Sequence, residues 1–408
     1  MAGQALSVAL SSALIGGFAG ALGALLMLLL DWGTTLGWGS KVLAGFPSQA
    51  PLALQLSFPV LIGVVIGVLR LRGAEPLPEL HKTLEELHEQ GAVKVQTRSS
   101  HLLLGLLALI GGGTIGPEAL LSRALAEWSV TLSRWGWFNN LPSRASCSVS
   151  GVLGLFGLPL VGGIALAERP NRPLPSGLWH WLPGVASGIA GFAVFHGLTR
   201  FGVGEEGVPY QWPDDGQQLV IYLLWALALG VLGGVIGMTF LRWRKICDKG
   251  LQKNLPNPLC QAVLTGVVIS FINQLQPLAL FSGEQQITPL LQGGFALGGI
   301  SLIVLGVVKL ASCGLCLSSG WIGGLFFPLI FSACAIAQGL ALCWPNLIPG
   351  QVAVSSMAAA IQSAILGQAL LPILITAGVL KGHAMAGVMV GSAMGLGVRQ
   401  ISQTRGSD

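Results

Sequence analysis

The sequence predicts an all-α polytopic membrane protein made of two inverted-topology halves of tilted and broken helices. Three observations predict it. Charged residues make up 9% of the 408-residue chain and apolar ones 52%, with a mean hydropathy of +0.74, whereas soluble domains carry about 25% charge. Apolar runs of roughly 17–25 residues, the length that spans a bilayer, recur about ten times and leave no soluble domain over. Two glycine-rich interruptions, "GGGTIGPE" at 111–118 and "SSGWIGGLFFP" at 318–328, sit in apolar regions of the two halves, 1–205 and 206–408. Interrupted segments in corresponding positions of two halves mark a midplane site in inverted-repeat transporters.

The elements follow in chain order. The run 5–30 lacks a basic n-region and is too long for a signal-peptide h-region, so it reads as a retained first span. Asp31 then reads as a solvated helix end. A second span, 52–70, leads into a basic stretch with Arg70, Arg72, Lys82, Lys94 and Arg98. Within it, 79–98 places Leu80, Leu84 and Leu87 at helical spacing, which predicts an amphipathic helix lying on the core. The run 101–127 contains the first interruption, and Arg123, Glu127 and Arg134 read as the exposed face of a surface-reaching helix. Spans at 148–167 and 178–200 precede an acidic, Lys- and Arg-free stretch, 202–217. In the span 217–241, Gly230, Gly233, Gly234 and Gly237 form overlapping GxxxG pairs that let helices approach closely. Residues 242–253 are basic again (Arg242, Arg244, Lys245, Lys249, Lys253). The run 258–282 is closed by "GEQQ" at 283–286, and 290–317, 321–344 and 352–398 complete the series, the last long enough for two helices. The positive-inside rule puts 70–98, 242–253 and both termini in the cytoplasm and 202–217 outside.

Several function classes are excluded. A net charge of +5 gives no footprint for nucleic acid, and no GxxxxGK[ST] P-loop occurs. No cofactor motif, metal-ligand spacing such as HExxH, or Ser-His-Asp set is present; Cys313 and Cys316 form a lone CxxC in an apolar run and read as small packing residues. What remains is Glu118, a carboxylate at membrane depth, which is a functional-site candidate by default. Freed N–H groups at the starts of broken helices carry partial positive charge and favour an anion.

These residues resemble the CLC family of chloride channels and chloride/proton exchangers. In "KLASCGLCLSSGWIGGLFFP", Lys309, Ser319, Gly320, Gly323, Gly324, Phe326 and Pro328 match the family's Lys, Ser-Gly and Gly-Gly-x-Phe-x-Pro positions. In "GLLALIGGGTIGPEAL", Gly116 and Glu118 match the run ending in Gly-Arg-Glu-Gly-Pro, while Pro117, Ala119 and Leu120 depart. The resemblance implies transport of a small anion, chloride first, with Glu118 as gate. The anion would be held at Gly116, Pro117, Gly324, Leu325, Phe326 and Phe327, with the N–H groups of Leu325 and Phe326 central. It also implies a homodimer with one pore per subunit, in the cell (inner) membrane and its lipid bilayer. In "EPLPELHKTL", Pro78 and Glu79 match, but Glu75 or Ala74 stands where the family has a chloride-coordinating serine. In "LPLVGGIALAERP", Glu168 matches the first of two glutamates and marks a possible proton path, while Arg169 stands at the second. The family's C-terminal pore tyrosine has no counterpart, since Tyr210 and Tyr222 lie elsewhere. Losing both hydroxyls removes two donors, each hydrogen bond worth about 1 kcal/mol net. The resemblance covers roughly 10–398 and leaves no length for C-terminal regulatory domains. Channel and proton-coupled exchanger both stay open. Other readings are a weakly or non-proton-coupled carrier of another anion or an organic solute, and a membrane-embedded enzyme using Glu118 or Glu168 as a base.

Overall fold

A computed structural model describes residues 2–40, 42–45, 47–75, 77–90, 93–95, 99–133, 144–155, 163, 178–199, 212–213, 215–293 and 295–404. Among them are fifteen α-helices. They are α1 (Ala2–Trp38), α2 (Leu52–Leu71), α3 (Leu80–Gln90), α4 (Ser99–Ile110), α5 (Glu118–Ser133), α6 (Arg144–Leu155), α7 (Leu178–Thr199) and α8 (Leu219–Asn254). After these come α9 (Pro258–Leu275), α10 (Ile287–Leu291), α11 (Gly299–Ser318), α12 (Phe326–Cys343), α13 (Gly350–Leu366), α14 (Leu370–Val379) and α15 (Met385–Thr404). Seven helices among the described residues are long and apolar enough to cross a membrane, and four shorter apolar ones accompany them. Full spans are fewer than the apolar runs because backbone breaks divide those runs. The run 101–127 becomes α4 and α5, and 352–398 becomes three helices rather than two, cut at Gly367 (φ +73°) and again at Lys381 and Gly382 (φ +52° and +76°). Asp31 does not end the first span: α1 continues through it to Trp38.

The chain divides into two compact units that interleave along the sequence. One consists of 1–30, 77–102 and 118–205; the other of 31–76, 103–117 and 206–408. The first is built on small residues. A Cβ on Gly154 of α6 would fall 2.5 Å from the Gly188 carbonyl of α7, and one on Gly191 2.6 Å from the Gly151 carbonyl, so these antiparallel helices touch backbone to backbone. The Ser187 hydroxyl donates to the Cys147 carbonyl across the same seam. Phe18 of α1 stacks on Trp128 of α5 at 4.2 Å. As the leucine spacing predicts, α3 buries Leu80, Leu84 and Leu87.

The second unit uses the same device. In α2 and α9, Gly63 lies on Ala262, Gly67 on Leu259 and Gly266 on Pro59, an antiparallel register. The glycines of α8 seat two helices running parallel to it: Gly230 and Gly234 meet Met394 and Val398 of α15, while Gly233 and Gly237 meet Met357 and Ala364 of α13. Every residue of α13 from Val352 to Ile365 is buried. In a bilayer, where lipid is as apolar as leucine, such close backbone approach supplies the packing that holds helices together.

Candidate functional site

The two interruptions foreseen in the sequence are stopped and restarted alike. Helix α4 ends where Gly112 turns left-handed (φ +88°), with the Gly113 N–H on the Ala108 carbonyl at 3.1 Å. Helix α11 ends where Gly320 does so (φ +84°), with the Trp321 N–H on the Cys316 carbonyl at 3.0 Å. This is the glycine stop in which the second residue beyond the helix bonds back to its last turn. Four residues on, the breaks pair with each other: the Gly116 N–H donates to the Gly324 carbonyl at 2.8 Å and the Gly324 N–H to the Gly116 carbonyl at 2.6 Å. Two residues later the next helices begin, at Glu118 and Phe326. The positions correspond as 112 with 320, 116 with 324 and 118 with 326, a constant separation of 208 residues.

Broken helices expose backbone groups that a bilayer cannot satisfy, and buried side chains of the second unit satisfy them here. The Trp38 indole donates to the Ile110 carbonyl in the last turn of α4 at 2.9 Å, while the Trp321 indole, just past the second break, ties that break to the Ala262 carbonyl inside α9 at 3.1 Å. Thr114 donates to Ala279 at 3.2 Å while accepting from Ser312 at 2.7 Å. These contacts lead to a third break, inside the apolar run 258–282. After α9 ends at Leu275, the chain turns through Pro277–Ala279, takes a left-handed Phe281 (φ +59°) and Gly283 (φ +84°), and only then enters α10. "GEQQ" therefore opens a helix rather than closing one, and Gln286 is buried. Lys309, fully buried, binds this break: its Nζ donates to the carbonyls of Leu278, Ala279 and Leu280 at 3.2, 3.3 and 2.9 Å and lies 4.4 Å from the Phe331 ring centroid. Pro277 and Gly283, interrupting an apolar run, were the available signal.

At the start of α12, Leu325, Phe326 and Phe327 are all buried. The N–H groups of Gly116 and Gly324 are occupied by each other, and Pro117 has none. The N–H groups of the α12 start are therefore those of Leu325, Phe326 and Phe327, at the positive end of an 18-residue helix.

In the first unit, Glu118 is the first residue of α5 and is buried. Arg123 and Glu127, expected on an exposed face, are buried as well. Arg123 forms a fork: Nε to Glu127 at 2.5 Å, Nη1 to Glu86 of α3 at 2.5 Å, and Nη2 to the Lys94 carbonyl at 2.7 Å. The Lys94 N–H returns to Glu86 at 2.6 Å. Partial burial pushes the Glu86 carboxyl up, but the Lys94 N–H and the Arg123 guanidinium outweigh it and hold it below the usual carboxylate range. The partner lies 37 residues away, so no local period reveals it. Of the other sequence candidates, Glu79 and Ala74 are buried and Glu75 is exposed. Tyr222 stands on α8 with its ring edge toward Trp212. Cys313 and Cys316 are buried one turn apart on α11. Glu168, Arg169, Arg134 and Tyr210 lie outside the described residues.

Residues 58–400 match the family described as voltage gated chloride channel. The chain belongs to that family. Members of the voltage gated chloride channel family are transport proteins rather than enzymes, which removes the membrane-enzyme reading. The H(+)/Cl(-) exchange transporter ClcA of Klebsiella pneumoniae (strain 342) is 23% identical over 385 residues, covering 88% of this chain and 78% of the relative. The voltage-gated ClC-type chloride channel ClcB of Salmonella typhimurium is 23% identical over 277 residues, covering 65% and 63%. Among solved structures, a slow cyanobacterial Cl-/H+ antiporter superposes with a TM-score of 0.74 at 17% identity, covering 97% of this chain and 94% of that one. A CLC-type fluoride/proton antiporter gives 0.73 at 16%, covering 97% and 96%. The chain thus has the fold of this family and is a multi-pass integral membrane protein.

Proposed function

We propose that this protein passes a small anion, most readily chloride, across a membrane along a path ending at the N-termini of broken helices, with Glu118 as its gate. The observation that supports this most is the reciprocal pairing of two like breaks at a constant 208-residue separation. It orders the start of α12, the positive end of an 18-residue helix, and such a start attracts anions. A carboxylate as first residue of the equivalent helix is a tethered anion: ionised, it competes for positive helix ends; protonated, it leaves. The equal separations also fit two inverted repeats, 1–205 and 206–408.

Coupling to protons is weak or absent in this reading, because Arg169 replaces a proton-carrying glutamate beside Glu168 and the family's pore tyrosine is missing. The protein is a homodimer in the lipid bilayer of the cell's inner membrane. Its termini, 70–98 and 242–253 are cytoplasmic and 202–217 is external; cysteine labelling that places residue 208 inside would overturn this orientation. The decisive assay uses chloride-loaded vesicles containing the purified protein. Chloride leaves when the membrane potential is released by a potassium ionophore, and an imposed pH gradient adds little. Vesicles that hold chloride and fluoride as tightly as protein-free ones would reject anion transport.

A further inference from the structure

Helix α8 is longer than a crossing requires. Its 36 residues extend about 54 Å, against about 30 Å of hydrocarbon. Residues 219–241 carry no charge, and the basic stretch begins at Arg242. Trp243 fixes where the apolar part ends. Its indole donates to the Ala311 carbonyl of α11 at 3.0 Å, and its ring lies against Gly314, whose Cβ position is 2.8 Å from Trp243 Cδ1.

Beyond Trp243 the same helix continues unbroken to Asn254. Ser318, at the end of α11, meets the Arg244 carbonyl at 3.4 Å, and Gln261, near the start of α9, donates to the Leu255 carbonyl at 2.8 Å. One guanidinium nitrogen joins these two ends: Arg70 Nη1, at the end of α2, donates to Ser319 at 2.6 Å and Gln261 at 3.2 Å. The ends of α2 and α11 and the start of α9 therefore meet at this end, beside the point where α8 leaves its apolar stretch at 242–244. A basic segment that directly continues a span beyond its apolar part meets the lipid headgroup level.

Its outer face suits that place. Arg242, Lys245, Lys249 and Lys253, at i, i+3, i+7 and i+11, form one stripe and are all exposed, while Cys247 and Leu251 on the opposite side are buried. Ile246, 62% exposed, and Trp243, 40% exposed, flank the stripe with apolar surface. Basic residues beside exposed apolar ones at a membrane exit fit anionic headgroups, with chains below and phosphates above.

We infer that the 242–254 segment of α8 is a docking strip for anionic phospholipid headgroups. Native mass spectrometry of the purified protein, exchanged into mixed phosphatidylglycerol and phosphatidylcholine, tests it. The wild type retains phosphatidylglycerol in preference. The variant carrying Arg242→Gln, Lys245→Gln, Lys249→Gln and Lys253→Gln loses at least about tenfold of that preference, since each charge near an anionic surface contributes about fivefold. Lys249→Gln with Lys253→Gln falls between them and controls for folding. Lys82→Gln, an exposed lysine of α3, leaves the preference unchanged. An equal preference in the quadruple variant, none in the wild type, or displacement of the lipid by an equal concentration of glycerol 3-phosphate would overturn the inference. A failure of chloride flux leaves this readout untouched.

Discussion

Lys309→Met tests whether one buried ammonium holds the third backbone break together. Methionine keeps the length and apolar stem of the side chain but loses all three hydrogen bonds, the shortest at 2.9 Å to Leu280. It also loses the attraction to the Phe331 face at 4.4 Å, worth about 2 kcal/mol in a desolvated setting. Each carbonyl deprived of its donor costs about 1–3 kcal/mol if it stays dry. Against these losses, methionine spares the protein the burial of an ammonium, a penalty of several kcal/mol. The burial penalty and the charge-assisted bonds are of similar size, so the orphaned carbonyls decide the sign. The expected net loss is about 3–5 kcal/mol, the order of three carbonyls left without their donor. Equilibrium unfolding in mixed detergent and dodecyl sulfate, followed by tryptophan fluorescence, measures it. Trp38, whose ring centroid lies 5.6 Å from that of Phe281 in a T-shaped pair, reports on the break directly. A variant within about 1 kcal/mol of the wild type would show that the three carbonyls find water or another donor, and that Lys309 is not what secures this turn.

Glu118→Gln imitates the protonated form of the proposed gate: anion flux becomes nearly independent of pH and any proton coupling disappears, whereas a well-folded variant with the native pH profile rejects the proposal. Gly320→Ala and Gly73→Ala each place a side chain at positive φ (+84° and +87°), which costs about 1–2 kcal/mol. Only at Gly320 does the new Cβ strike a neighbour, the Arg70 guanidinium at 2.5 Å, while nothing lies within 4 Å of Gly73. Gly320→Ala is therefore the more destabilising by roughly 2 kcal/mol, and equal losses would refute the steric account. Because the Glu86 carboxyl is held low by Lys94 and Arg123 against the effect of burial, its contribution is complete above the unfolded value near 4.3 and fades as pH falls through the lower folded value. Unfolding measured from pH 6 down to pH 3 should show a steeper loss for the wild type than for Glu86→Gln; parallel curves would dissociate Glu86 from acid sensitivity.

Legibility from the sequence followed the range of the interaction concerned. The breaks at 111–118 and 318–328 were readable because glycine and proline inside apolar runs have few other uses in a membrane, and their stop signals are local. The α3 helix was readable because three leucines at helical spacing need no distant partner. Arg123 and Glu127 were misread because what buries them is Glu86 and the Lys94 backbone, which no period brings near. The third break was hidden for a related reason. Leu278, Ala279 and Leu280 look like membrane filling, and only Lys309, about thirty residues on, reveals that their carbonyls are unbonded along the chain. The glycine pair at 116 and 324 was legible as two unusual residues but not as each other's partner.

That pair has a wider consequence for how the two breaks divide their tasks. At each break, geometry dictates the residue at two places: a left-handed stop that favours glycine, at 112 and 320, and a close backbone rung, at 116 and 324. The first helical position carries no such demand. There the breaks diverge, with a carboxylate at 118 and a phenyl group at 326. One backbone template thus presents two different chemical heads, and the chemical difference between the two breaks is concentrated in the single position that the template leaves unassigned.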